Sequence, residues 1–176
     1  MKNFMRLAAA AMFAVAFLLS SLAVEAQTSK DEFLAKFENS KKFTLDVLAK
    51  MPDSEMDYKT DPGAMSFKEQ IHHIGTAIVG ISQGFLKGSE TAPSLDVATA
   101  SRADLAKFVA DAYDYGIATS KALSEADAAE TIEVFGNKVT RRQVEALLID
   151  HSTHHRGSAI AYLRAKGVEP PAFVGF

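Results

Sequence analysis

Asp150-His151-Ser152-Thr153-His154-His155-Arg156-Gly157 is the stretch from which the rest of this chain is read. It places three of the five histidines within eight residues, inside a helix-favouring segment that runs from Thr140 to about Lys166. On a helix, His151 and His155 are four residues apart and project from one face, one turn above the other. Two imidazoles placed this way can share a metal ion. The same face carries Val144, Leu148 and Tyr162, so both histidines stand where core side chains are expected. Imidazoles turned toward an apolar interior need partners, because unpaired buried polar groups are costly. A metal would be such a partner.

Upstream of this segment the periodicity predicts three more helices. Phe33, Leu34, Phe37, Leu45 and Leu48 recur at helical spacing over 29–50, with Ser29 and Glu32 as a capping box and Met51-Pro52 as a stop. A connector from Asp53 to Ala64 contains the turn signal Asp61-Pro62-Gly63. Ser66 and Glu69 cap a second helix, whose Phe67, Ile71, Ile74, Ile78, Ile81 and Phe85 form a seam suited to bundle packing. Beside that seam run Gln70, His73, Ala77, Gly80 and Gly84, a line small enough to admit a neighbouring helix or to leave room around His73. Residues 86–100 read as a long loop, and 101–123 as a third helix with Leu105, Phe108, Val109, Ala112 and Tyr115 inward. Between 124 and 139 the pattern allows a short hairpin or an extended crossover, since Thr131 to Phe135 alternates and Gly136-Asn137 is a turn. Thr140 with Gln143 caps the last helix, and the apolar tail from Ala172 is expected to pack back on the bundle. The expected fold is all-α, four helices around one core.

Residues 1–26 read as an export signal: Lys2 and Arg6, an apolar run from Leu7 to Leu19, and Val24-Glu25-Ala26 as a cleavage site. The run is shorter than the roughly 20 residues that span a bilayer. A cleaved signal, an exported periplasmic or secreted domain at 27–176, and no stable membrane span after cleavage are therefore expected. Cleavage removes Lys2, Arg6 and Glu25, which takes the formal charge from −3 to −4. That balance offers no reason to expect nucleic acid or an anionic membrane as a partner. The absence of cysteine excludes disulfides, a lipidated cysteine anchor and cysteine-based catalysis.

An H-x-x-x-H pair alone arises often by chance, and a lone helical histidine is usually structural. A third ligand from a facing helix strengthens the metal reading, because bundle cores build metal sites this way. The second helix offers His72 and His73. His73 is preferred because it lies on the small-residue line, whereas His72 shares its face with Lys68. His154 is turned about 100° from His155 and is read as a surface or supporting residue. Three neutral imidazoles plus water suit Zn²⁺ and tolerate Ni²⁺. Ser152 stands where the zinc proteases of the H-E-x-x-H type carry glutamate, so no general base is built in. Tyr58, Asp150 and Arg156 lie near these motifs in sequence, Arg156 as a candidate salt-bridge partner.

Met65-Ser66-Phe67-Lys68-Glu69-Gln70-Ile71-His72-His73-Ile74 resembles the second-helix signature of the DinB-like (damage-inducible, YfiT-like) superfamily. His151 through Gly157 resembles its H-x-x-x-H-R-G signature, and Tyr58 to Pro62 and Gly167 to Pro171 are also similar to it. The resemblance implies a four-helix bundle with a long crossover connection, a divalent metal held by His73, His151 and His155, and members that often dimerise. The family often has Gln where this chain has Ser158. The resemblance implies a metal-dependent hydrolase acting on a small-molecule substrate through water on the ion. Two alternatives stand beside it. One is a thiol transferase, which an exported location weakens because cytoplasmic thiols are scarce there. The other is a non-catalytic module whose metal only ties two helices together.

Overall fold

Each long helix begins with a reciprocal cap, in which a hydroxyl accepts the backbone N–H three residues on and that residue's side chain accepts in return. Ser29 and Glu32 start α1 (Lys30–Lys50), and Ser66 and Glu69 start α2 (Phe67–Phe85). Ser101 and Asp104 start α3 (Arg102–Ala122), and Thr140 and Gln143 start α5 (Arg141–Ala165). Between α3 and α5 lie a five-residue helix, α4 (Glu125–Ala129), and a hairpin of β1 (Thr131–Val134) and β2 (Asn137–Thr140). The computed structural model describes residues 29–175, so the export-signal expectation lies outside the described residues. Among those described, no helix is long and apolar enough to cross a membrane.

The four long helices form a square. α2 packs against α5 and α3, and α1 packs against the same two from the other side, leaving α1 and α2 on one diagonal. The connector from Met51 to Ser66, with its 3₁₀ turn at Asp53–Glu55, therefore crosses the bundle end instead of joining neighbours. α2 and α5 run antiparallel: Arg141 at the start of α5 donates to the Phe85 carbonyl at the end of α2, and Tyr162 Oη donates to the Met65 carbonyl at 3.0 Å. The α2 seam holds, with Phe67, Ile71, Ile74, Ile78 and Ile81 buried and Phe85 packed against the core's edge. Burying such side chains contributes roughly 1.5–3 kcal/mol each.

The structure alters several expectations in detail. On α3 it is Tyr113, not Tyr115, that is fully buried; Tyr115 reaches sideways to the Ser89 carbonyl at 2.5 Å. The hairpin alternative is the one that forms, pairing Thr131 with Thr140 and Val134 with Asn137, and α4 precedes it. The line Ala77, Gly80, Gly84 accommodates no helix, since a Cβ on either glycine would meet nothing within 4 Å. The close approaches occur at Gly75, where a Cβ would lie 2.5 Å from Phe108, and at Gly116 against Ile78 and Phe37. The tail does return to the bundle: Asn39 Nδ2 donates to the Val174 carbonyl at 3.0 Å, and Phe173 meets Phe43 edge-on at 6.2 Å. Phe173 itself stays 84% exposed.

Candidate metal centre

The antiparallel pairing of α2 and α5 sets the middle of one helix against the middle of the other. His73 comes from α2; His151 and His155 come from adjacent turns of α5. Their ring nitrogens converge so that one donor atom from each lies within 4.8 Å of the others. His73 Nε2 and His151 Nε2 are 3.2 Å apart. Two nitrogens bound to one tetrahedral zinc at ordinary bond lengths lie roughly 3.4 Å apart, so this spacing matches a shared ion. A hydrogen bond between the two rings would also fit 3.2 Å, but it gives no reason for a third imidazole. The His155 ring centroid lies 4.5 Å from that of His73 and 4.6 Å from that of His151.

The tautomer of His155 follows from its neighbour. Gln70 Oε1 lies 2.6 Å from His155 Nδ1, and an amide oxygen can only accept, so Nδ1 carries the proton and Nε2 keeps its lone pair. This is the arrangement in which a supporting acceptor fixes a histidine for metal binding. Gln70 sits one turn before His73 on the same face of α2 and is buried. Gln70 shares the line that carries His73, and a polar residue three positions before a candidate ligand is the sequence signal for such a support.

Electrostatics favour the neutral, ligating form. Burial lowers the pKa of His73, with His72 adding to the effect. Burial also lowers that of His151, helped by His73 and His154. His155 is pushed down to about 4 by burial and then by the charges of His151, His73 and His154. At neutral pH all three offer lone pairs without first losing a proton. The donor set, its spacing and its protonation therefore suit a divalent metal ion.

The other sequence candidates lie elsewhere. His72 points to the long loop, with Nε2 3.1 Å from the Leu95 carbonyl and its ring against Phe108. His154 is exposed and meets only the edge of His155, at 4.8 Å between centroids. Tyr58 packs edge-on against Tyr162 at the far end of the bundle. Asp150 is exposed on the side of α5. Among the described residues Arg156 forms no salt bridge. It is 8% exposed and turns toward α1, donating to Ser40 Oγ at 2.7 Å and Thr44 Oγ1 at 3.3 Å, with Phe43 beneath its guanidinium. Ser158 bonds back to the His154 carbonyl and does not reach the three imidazoles.

The model of the DinB family matches residues 25–175. The uncharacterized protein YjoA of Bacillus subtilis (strain 168) is 24% identical over 140 residues, covering 78% of this chain and 90% of that protein. The crystal structure of YjoA, a DinB-like protein, superposes with a TM-score of 0.65 at 23% identity, over 81% of this chain and 96% of that one. A DinB-like protein from Bacillus cereus ATCC 10987 gives 0.66 at 19% identity, over 82% and 97%. YfiT from Bacillus subtilis, described as a probable metal-dependent hydrolase with an unusual four-helix bundle topology, gives 0.67 at 16%, over 84% and 93%. At these identities the superpositions speak to the fold.

Proposed function

This chain belongs to the DinB family, and from that premise we propose that it is a divalent-metal-dependent hydrolase whose ion is held by His73, His151 and His155. The observation that carries the reading is the convergence of three neutral imidazoles from two facing helices. The description of the structurally similar YfiT as a probable metal-dependent hydrolase supports it. A divalent ion bound there supplies Lewis acidity, polarising a substrate carbonyl and acidifying water. The chain's own residues prepare that chemistry. Burial keeps the imidazoles unprotonated, and Gln70 fixes the tautomer and ring plane of His155. Three protein donors are one fewer than a closed structural zinc site uses, which supports the hydrolase reading. No carboxylate joins the donor group among the described residues, so the three imidazoles alone would hold the ion, and acidifying water is chemistry the ion would supply.

The native ion is proposed to be zinc or nickel, the substrate a small molecule with a hydrolysable amide or ester, and the working location outside the cytoplasm. A homodimer is the proposed assembly. The test is elemental analysis of the full chain beside the His151→Ala/His155→Ala double variant, followed by a metal-dependent hydrolase screen. About one equivalent of zinc or nickel in the wild type, under a tenth in the variant, and turnover lost with the metal are expected. Equal metal content in both proteins, or turnover that survives in the variant, overturns the reading.

A further inference from the structure

A cavity of about 470 Å³ opens between the first half of α1, α4 and the start of α5, away from the histidines. Ile149 and Glu145, which line it, point about 160° and 120° around α5 from His151 at 100° per residue. Its two long walls carry opposite charge. Lys30 and Lys36 come from α1, and Glu145 and Asp150 from α5. Arg142 and Glu125 also border it but satisfy each other at 2.7 Å. Phe33 and Ile149 supply an apolar surface between the walls.

Glu145 points to a ligand. It is 5% exposed; its Oε1 is fully enclosed and, like the nearby Ser120 Oγ, makes no well-formed hydrogen bond among the described residues. Burial raises the pKa of its carboxyl, offset in part by Ser120, Lys30 and Arg142. An ammonium brought in by a ligand would offset the cost of keeping this carboxyl's charge out of water. A volume near 470 Å³ lies within the range of small-molecule sites.

We propose that this cavity binds a zwitterionic amino acid with an apolar side chain, its ammonium on Glu145 and its carboxylate toward Lys30 and Lys36. The apolar side chain would lie on Phe33 and Ile149, and neither charge would enter without a partner. Lys30 is already held near the cavity by its bond to the Leu123 carbonyl.

The experiment is calorimetric titration of the full chain with leucine and phenylalanine, against N-acetyl-leucine and leucinamide, each of which lacks one of the two charges. Saturable binding of the free amino acids is expected, weakened roughly tenfold or more in both blocked compounds, as loss of a charged hydrogen bond implies. Glu145→Gln should weaken binding by a similar factor. Ala146→Phe, at an exposed helical position bordering the cavity, should abolish it without unfolding the chain. Metal content should be unchanged in both variants. No saturation up to ~10 mM leucine, a range that would mean under about 3 kcal/mol of binding, overturns the proposal. So does equal affinity for the blocked compounds, or undiminished binding in Ala146→Phe.

Discussion

At the scale of single residues, the centre depends on Gln70 as well as on the imidazoles. Replacing it by leucine keeps three ligands and the helix but removes the acceptor on His155 Nδ1. Metal affinity should fall by about 10- to 100-fold, as measured by competition with a chelating dye. Affinity equal to wild type would show that His155 needs no orienting partner. The same histidine makes the metal-free protein sensitive to acid. Its folded pKa of about 4 lies below the ordinary 6.5, so the unfolded chain takes up the proton first as pH falls. The stability contributed by neutral His155 is complete above about pH 6.5 and is lost as pH falls through 4. Denaturant midpoints of the metal-free chain should decline over that window, and His155→Asn should flatten the slope. Identical slopes in the two proteins would assign the acid sensitivity to other groups.

At the scale of the helices, two glycines on α2 have opposite roles. A methyl on Gly75 would lie 2.5 Å from Phe108 Cε1, and Phe108 in turn supports His72 and, through it, the loop at Leu95. Gly75→Ala should cost about 1–3 kcal/mol, the usual penalty of overpacking. Gly80 faces open space within the same helix, so Gly80→Ala should stabilise by about 0.5–1 kcal/mol through helix propensity alone. Thermal melts of the two variants should therefore move in opposite directions, and a shift of the same sign in both would contradict the packing described. The helix ends depend on distant side chains as well. Arg102 of α3 donates to the Leu48 and Met51 carbonyls that close α1, as Arg141 does for Phe85 on α2. These bonds satisfy carbonyls that have no partner within their own helix.

For the whole molecule, the two sides of the bundle that meet at α5 are joined by different chemistry. On the α2–α5 side the link is the histidine cluster. On the α1–α3–α5 side it is a buried set of hydroxyls in which Tyr113 Oη lies 3.0 Å from both Ser40 and Thr44, with Arg156 bonded to the same two side chains. A metal that binds only the folded chain adds stability by mass action, about 4 kcal/mol when free ion stands at a thousandfold of its dissociation constant. Chelation should consequently lower the melting temperature of wild type by several degrees and leave the His151→Ala/His155→Ala variant unmoved. A chelator that shifts both equally would place the stabilising ion somewhere other than these histidines.

The four long helices and the inner faces of α2 and α5 were legible in the sequence alone, whereas on α3 the buried tyrosine is Tyr113 and not the expected Tyr115. Ser29, Ser66, Ser101 and Thr140 each stand three residues before a side chain able to return the cap, and local hydrogen bonding of this kind needs no knowledge of the rest of the chain. The α2 seam and the pairing of His151 with His155 were legible for the same reason, since helical spacing alone fixes which residues share a face. Only the tertiary structure decided what lies opposite each face. His73 was already favoured over His72 by its place on the small-residue line, and the rotation of α2 against α5 brings it to the α5 histidines. Gln70 as a supporting acceptor follows from the pairing of α2 with α5, while Tyr113 as a buried residue in place of Tyr115 and Arg156 bonded to hydroxyls follow from the packing of α1, α3 and α5. The short helix and hairpin at 125–140 were ambiguous because elements of four or five residues draw little stability from their own periodicity. Their form is set by the need to carry the chain across the bundle diagonal from α3 to α5.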